Sequence, residues 1–309
     1  MIEKKNKILV SPTSFGRCGS QPLDLLEKNN YDVILNPFDR KLTPDEIIKL
    51  GRDCVGIIAG VESLNAKVLE SLPYLRCISR CGSGIDNVNL KKAEELNIVV
   101  KNTPYGPTRA VAELTIGLIF DVLRQISSRD RSIRNGKWNK EMGFLLRDKT
   151  VGVLGLGRIG RNVAELLLKL DTNVIGSDIN PDKEWLKKTK IPLFSFDELI
   201  KKSDVLCIHV SSSNNEYLIG KKELNSMKKD SYIVNLSRGG IVDEKALYDV
   251  LKNKHLAGAA VDVFQQEPYT GPLTELDNIV LTPHVGSYAK ESRLEMEIEA
   301  VQNLLDVIK

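Results

Sequence analysis

Three histidines in 309 residues leave few side chains able to exchange a proton near neutral pH. Cysteine is sparse as well: the five, at positions 18, 54, 77, 81 and 207, form no C-x-x-C pair and are odd in number. That argues against a zinc site or a disulfide framework and suits a reducing cytoplasm. No apolar run approaches the ~18 residues that a membrane helix requires, so no membrane association is expected. Residues 1–10 carry charged side chains straight into a strand pattern and lack the apolar core of a signal peptide. A net charge of +3, with lysines scattered in short pairs, provides no basic patch for nucleic acid. Low-complexity segments and sequence repeats are missing too. What remains is an ordinary globular composition, long enough for two domains that each bury a core.

The stretch around which the chain is organised runs from Lys149 to Glu165. A short apolar run at 151–154 leads into Gly155, Gly157 and Gly160 at G-x-G-x-x-G spacing, and an amphipathic segment follows at once. Gly155 permits a tight turn out of a strand, Gly157 lets backbone approach a pyrophosphate, and Gly160 lets a helix pack close to a sheet. The phosphates would rest on the helix N-terminus, where free N–H groups favour negative charge. A second strand pattern at 173–177 ends in Asp178, 23 residues after Gly155, where an adenosine ribose needs an acceptor for its hydroxyls. Glycine turns alone are common. Strand, glycines, helix, strand and terminal acid together predict a dinucleotide site.

Strand patterns recur at 7–10, 32–35, 55–59, 75–79 and 98–100, and again near 151, 174, 205, 232, 257 and 279, with helical patterns between them. Short apolar strands alternating with helices predict parallel sheets covered on both faces. Residues 21–29 read as a helix, and Thr43, Pro44 and Glu46 supply the N-cap, first-turn proline and third-position acid of another. Residues 108–134 predict one long helix that crosses between domains or reaches a partner subunit, the alternative being two helices broken near Ser127 and Ser128. A tail helix is predicted over 288–308, with Leu294, Ile298, Val301, Leu305 and Ile308 on its apolar stripe. The first domain is its natural packing partner.

Hydride chemistry on a dinucleotide needs a group to manage the substrate proton. His284 lies just past the strand pattern 278–281, at the carboxyl edge where ligands bind such sheets. His209 also ends a strand, so position alone does not separate the two. His255 sits in a lysine-rich loop. Glu267, before Pro268, is a carboxylate able to hold a histidine in one tautomer and favour its protonated form. Arg238 follows a strand and precedes two glycines, and its planar fork fits a carboxylate. The loop at 80–87, with Gly82 and Gly84, places small residues after another strand.

Gly155-x-Gly-x-x-Gly160, Asn235-x-Ser237-Arg238-Gly-Gly-x-Val-Asp243, Val261-Asp262-Val-Phe-x-x-Glu267-Pro and Thr282-Pro-His284-x-Gly286 together resemble the D-isomer-specific 2-hydroxyacid dehydrogenase family. The resemblance covers nearly the whole chain, including 80–87 and 112–115. It implies an α/β fold of two doubly wound, Rossmann-like parallel-sheet domains, with an NAD-binding domain at 104–286 inserted into a substrate domain made of 1–103 and 287–309. It implies His284 as acid/base, Glu267 as its partner and Arg238 as the anchor for the substrate carboxylate, with Gly82 and Ser83 offering backbone N–H groups to that carboxylate. Asp262 would bind the nicotinamide carboxamide. Arg158, Ile159, His209, Val210, Ser237 and Gly286 would join Gly155, Gly157, Gly160 and Asp178 around NAD. The long helix and the Trp138 region would form a homodimer interface.

Within that family the chain most resembles short phosphoglycerate dehydrogenases without a regulatory domain, and it departs from them in two places. Where they tend to carry an arginine for the substrate phosphate, this chain has Ala59, Gly60, Val61 and Glu62; the acid would oppose a phosphate, with Lys140 as the substitute cation. The segment 209–216 also runs one residue short. The expected substrate is a D-2-hydroxy acid, D-3-phosphoglycerate among the candidates. Hydroxypyruvate, glyoxylate and longer 2-keto acids are the alternatives. A reading of a different class is an NAD-binding, corepressor-like module with weak turnover.

Overall fold

The computed structural model describes residues 6–211 and 217–308. The chain divides into two compact units, one of Met1–Pro107 with Ser287–Lys309 and one of Thr108–Gly286. Among the described residues no helix is long and apolar enough to cross a membrane.

In the first unit, β1 (Lys7–Val10), β2 (Asp32–Leu35), β3 (Cys54–Ala59), β4 (Cys77–Arg80) and β5 (Val99–Asn102) form a parallel sheet of order β2-β1-β3-β4-β5. Successive strand residues point to opposite faces. Leu9, Ile57 and Ile78 therefore pack with Ile47 and Leu69 on one side, and Ile8, Ile58 and Cys77 with Leu26 and Leu304 on the other. The helix Pro44–Gly51 starts at Thr43 with the expected capping box.

The tail helix, Lys290–Ile308, packs against β3 and β4 of this unit. Its buried line is not quite the expected stripe. Leu294 and Ile298 are only half-buried, whereas Arg293, Met296, Glu297, Ala300 and Leu304 are buried. The reason is a buried ion pair. Arg293 donates to Glu297 at 3.1 Å and to Ser14 Oγ at 2.7 Å, and Glu297 accepts the Gly16 N–H at 2.9 Å. A hydrophobic pattern skips both residues.

The second unit contains β6 (Thr150–Leu154), β7 (Asn173–Ser177), β8 (Val205–Ile208), β9 (Ser231–Asn235), β10 (Leu256–Val261) and β11 (Ile279–Leu281), all parallel, in the order β11-β10-β9-β8-β6-β7. Leu206, Ile208 and Ile233 face one core layer; Val151, Val153, Val205 and Val234 face the other. The chain moves outward from β6 to β7 and returns to β8. The switch point, where doubly wound sheets bind ligands, therefore lies at the carboxyl ends of β6 and β8.

The single long helix expected over 108–134 is two helices, Gly106–Arg124 and Ile126–Arg134. Gln125 between them is left-handed, with φ +53°. The buried face of the first helix ends at Val122 and Leu123, and the second buries no residue, so no common core holds them in line. Asp121 accepts the Ser127 N–H at 2.8 Å and starts the second helix in its new direction.

Candidate active site

The glycine turn has the geometry that the spacing predicts. Gly155 has φ +89°, and a Cβ there would stand 2.6 Å from the His209 carbonyl oxygen. A Cβ on Gly160 would stand 1.8 Å from the Gly155 oxygen, so the helix Arg158–Lys169 approaches the strand as only glycine allows. Gly157 is its N-cap, has no side-chain cap, and would meet nothing within 4 Å on its Cβ side. The first-turn N–H groups, with Arg158 and Ile159 beside them, thus begin an uncapped helix beside open space. At the end of β7, Asp178 accepts the Leu156 N–H with one carboxylate oxygen and, at 2.7 Å, the Asn180 N–H with the other. The acid is locked to the turn it serves.

His209 follows β8 beside this turn. Both ring nitrogens are sealed from solvent and have no partner among the described residues, and burial pushes its pKa down to about 4. A buried polar ring without a partner, an uncapped helix start, a backbone cradle and a strand-end carboxylate suit a dinucleotide with polar groups of its own. Val210 packs its Cγ1 on the same turn, 2.9 Å from where a Gly155 Cβ would lie. Residues 212–216, where the segment runs one residue short, lie outside the described residues.

A neutral buried histidine carries a testable cost. The unfolded chain takes up a proton at His209 below about pH 6.5, while the folded chain does so only near pH 4. Stability should therefore fall as pH drops through that window, by on the order of 3 kcal/mol from this residue. Urea unfolding at pH 7 and pH 4.5 should show this loss in the wild type. His209→Gln should lack most of it; an equal loss in the variant would remove the assignment.

Three strand ends on the same edge supply the remaining groups. After β9, Asn235 Oδ1 accepts the Ser237 N–H at 3.1 Å and the Ser237 hydroxyl at 2.7 Å, forming a tight turn. Arg238 follows it, half-exposed, with Nη1 donating to the Ser237 carbonyl at 2.8 Å. Gly239 is required there, because a Cβ would stand 1.9 Å from the Phe264 oxygen. After β10, Glu267 accepts the Phe264 N–H at 3.1 Å and faces His284 Nδ1 at 2.9 Å. After β11, His284 stands in a left-handed conformation, φ +54°, with its N–H on the Thr282 oxygen at 2.9 Å. Asp262, also at the end of β10, is 1% exposed and accepts from Thr282 Oγ1, Val285 N–H and Gly286 N–H. Thr282 and Asn235 were part of the sequence motifs without a role. Small polar residues at strand ends, each four positions before a glycine, were the available signal.

Three further expectations concern Glu62, the backbone at 82–83 and Lys140. Glu62 is not presented at the surface. It is 2% exposed and folds back to accept from Ser11 Oγ and, at 2.9 Å, from the Gly60 N–H. The Gly82 N–H already donates to Thr103 Oγ1 at 2.7 Å, and the Ser83 carbonyl accepts from Asn102 at 2.6 Å. Lys140 lies in exposed coil of the second unit. Its neighbours Asn139 and Glu141 line a groove of about 480 Å³ with Gly258 and Asn278, at the amino ends of β10 and β11. His284 and Arg238 follow the carboxyl ends, so Lys140 is no substitute cation for them.

Residues 116–286 match the model of the D-isomer specific 2-hydroxyacid dehydrogenase NAD-binding domain. The chain is 41% identical over 296 residues to a glyoxylate reductase of Thermofilum pendens, covering 91% of this chain and 87% of that one. It is 35% identical over 295 residues to a D-3-phosphoglycerate dehydrogenase of Archaeoglobus fulgidus, covering 94% of this chain but only 55% of that longer protein. Among solved structures, the TT0316 protein from Thermus thermophilus superposes with a TM-score of 0.89 at 32% identity, over 97% of this chain and 96% of that one.

Proposed function

Since the chain belongs to the D-isomer specific 2-hydroxyacid dehydrogenase family, with its NAD-binding domain at 116–286, we propose that it interconverts a small D-2-hydroxy acid and its 2-keto form. The observation that carries this reading is the His284–Glu267 pair at 2.9 Å, which shares the sheet edge of the glycine turn; Glu267 follows β10, which lies between β11, before His284, and β9, which presents Arg238.

NAD(H), when bound, supplies or accepts the hydride. The first-turn N–H groups after Gly157 would hold its phosphates, with Arg158 and Ile159 alongside, and Asp178 its ribose hydroxyls. His209, Val210, Ser237 and Gly286 are proposed to complete that surface. In the reducing direction Arg238 holds the substrate carboxylate in two parallel charge-assisted bonds, which orients the keto group. His284 gives its proton to the keto oxygen from Nε2, the ring nitrogen opposite the one that faces Glu267. Glu267, at 2.9 Å from Nδ1, fixes the orientation of the ring. Of the two backbone donors proposed for the carboxylate, the Gly82 N–H is engaged by Thr103, which leaves Ser83.

Glyoxylate and hydroxypyruvate are the substrates proposed first, with 3-phosphohydroxypyruvate beside them. The test is absorbance of NADH and NADPH during reduction of these acids. A carboxylate at Asp178 repels a 2′-phosphate, so NADH should be used at least tenfold more efficiently. Equal use of NADPH would contradict the role of Asp178.

We further infer a homodimer. The helix Ile126–Arg134 buries nothing, and the chain around it exposes Ile133, Trp138 and Met142, the last two at 77% and 95%. Several large apolar side chains exposed together mark a protein contact. A reducing cytoplasm is supported by five unpaired cysteines, four of them buried.

A further inference from the structure

Arg161 is the first residue after the last glycine of the turn, and Asp182 follows Asp178 by four positions. The segment between the two acids has no apolar anchor: Ile179 is fully exposed, and Asn180 is exposed as well. Side-chain bonds shape it instead. At one end Asp178 accepts the Leu156 and Asn180 N–H groups. At the other, Asp182 Oδ1 accepts the Trp185 N–H at 3.0 Å and caps the helix Lys183–Thr189, while Oδ2 pairs with Arg161 Nη1. The Trp185 indole N–H donates to Glu165 Oε1 at 2.7 Å. Arg161 and Glu165 stand one turn apart on the helix Arg158–Lys169, so that helix is tied twice to the chain that follows Asp178. The Trp185 N–H, and after it the Arg161 charge, hold the Asp182 carboxyl below its ordinary pKa, so it is ionised at neutral pH.

We propose that the Arg161–Asp182 pair is a specificity-determining element for the adenosine ribose: Asp182 occupies the guanidinium beside the segment that Asp178 opens and so withholds Arg161 from a 2′-phosphate. This deepens the proposed function and rests on it for the role of Asp178. Discrimination against NADP then has two parts. Asp178 repels the extra phosphate, and the arginine that could offset this repulsion in two charge-assisted bonds is already engaged. The pair is partly exposed, with side chains at 31% and 45%, so the guanidinium can turn away from Asp182 without disturbing a core. Asparagine at 182 separates the two duties of the aspartate. It caps a helix as well as aspartate does. Its one oxygen is then committed to the Trp185 N–H, which leaves an NH₂ facing the guanidinium, donor against donor. Arg161 is released while the helix start is kept.

The experiment titrates NADH and NADPH, followed by nucleotide fluorescence, into the full chain and into Asp182→Asn, Arg161→Gln and the double variant. Asp182→Asn should tighten NADPH binding about fivefold, the upper range for an exposed charge pair, and change NADH binding by less than about twofold. Arg161→Gln leaves the Asp182 charge unpaired, so it should move NADPH the other way, weakening it about threefold, with NADH again little changed. The double variant should lose the gain of Asp182→Asn, and salt at about 0.5 M should shrink that gain in the single variant. Opposite shifts confined to NADPH are the signature of the proposed role. Equal weakening of both nucleotides in all three variants, as from a pair that only braces the fold, would overturn it. So would a gain for NADPH that survives in the double variant. The titration needs no substrate. Absence of turnover in the wild type would therefore count against the proposed function, and NADPH bound by the wild type as tightly as NADH would count against Asp178. An Asp182→Asn variant that discriminates as the wild type does would count against the Arg161–Asp182 pair.

Discussion

His284→Ala should lower kcat for reduction of the preferred 2-keto acid by about 10²–10⁴-fold, the usual contribution of a positioned acid–base group. NADH affinity should stay within a few-fold, because the cofactor groups lie on the glycine turn and at Asp178. The expectation rests on geometry: Glu267 reaches Nδ1 at 2.9 Å and is itself held by the Phe264 N–H. Glu267→Gln should act in the same direction by less. It keeps the shape of the partner but can turn an NH₂ as well as an oxygen toward Nδ1, so the ring is no longer held by an acceptor-only carboxylate. The two changes should not add, since each disables the same unit. If His284→Ala keeps more than a tenth of wild-type kcat, another group transfers the proton. His209 is a poor substitute, because burial holds it neutral down to about pH 4.

Arg238→Ala should cost kcat/KM roughly 10²-fold, expressed largely in KM, because charge-assisted hydrogen bonds to a carboxylate are lost. Arg238→Lys should recover only part of this. Lysine keeps the charge but not the planar two-pronged geometry. Kinetics across glyoxylate, hydroxypyruvate and a longer keto acid would check the assignment. An anchor for the shared carboxylate should weaken all three alike. A loss confined to one of them would place Arg238 on the variable end of the substrate.

Much of this site was legible in the sequence because its residues stand where backbone geometry leaves a mark. Gly155, Gly160 and Gly239 occupy positions where a Cβ would meet backbone at 2.6, 1.8 and 1.9 Å, so spacing alone reports the turns. The strands of both sheets were legible for a similar reason. Each is a short apolar run whose alternate residues face two core layers, as Ile57 and Ile58 do. Polar contacts over long separations left no such trace. Glu62 looked like an acid facing an anion; only the fold brings Ser11 to it from 51 positions away. Asp262 was legible as a strand-end acid, but its donors come from a strand end 20 to 24 positions later. The tail helix misled for a related reason, since Arg293 and Glu297 neutralise each other inside the core and so occupy positions that an apolar pattern assigns to leucine or isoleucine. The break, placed near Ser127 and Ser128 in the alternative reading, falls at Gln125, because helical periodicity continues on both sides of one left-handed residue.

The central claim is stereospecific hydride transfer to a 2-keto acid by the edge that carries Arg238, Glu267 and His284. Chiral analysis of the product formed from hydroxypyruvate and NADH, followed together with the loss of NADH absorbance, tests it most directly. The account predicts one D-2-hydroxy acid formed per NADH consumed, with both signals lost in His284→Ala. An L-product, or NADH consumption that His284→Ala leaves in place, would contradict it.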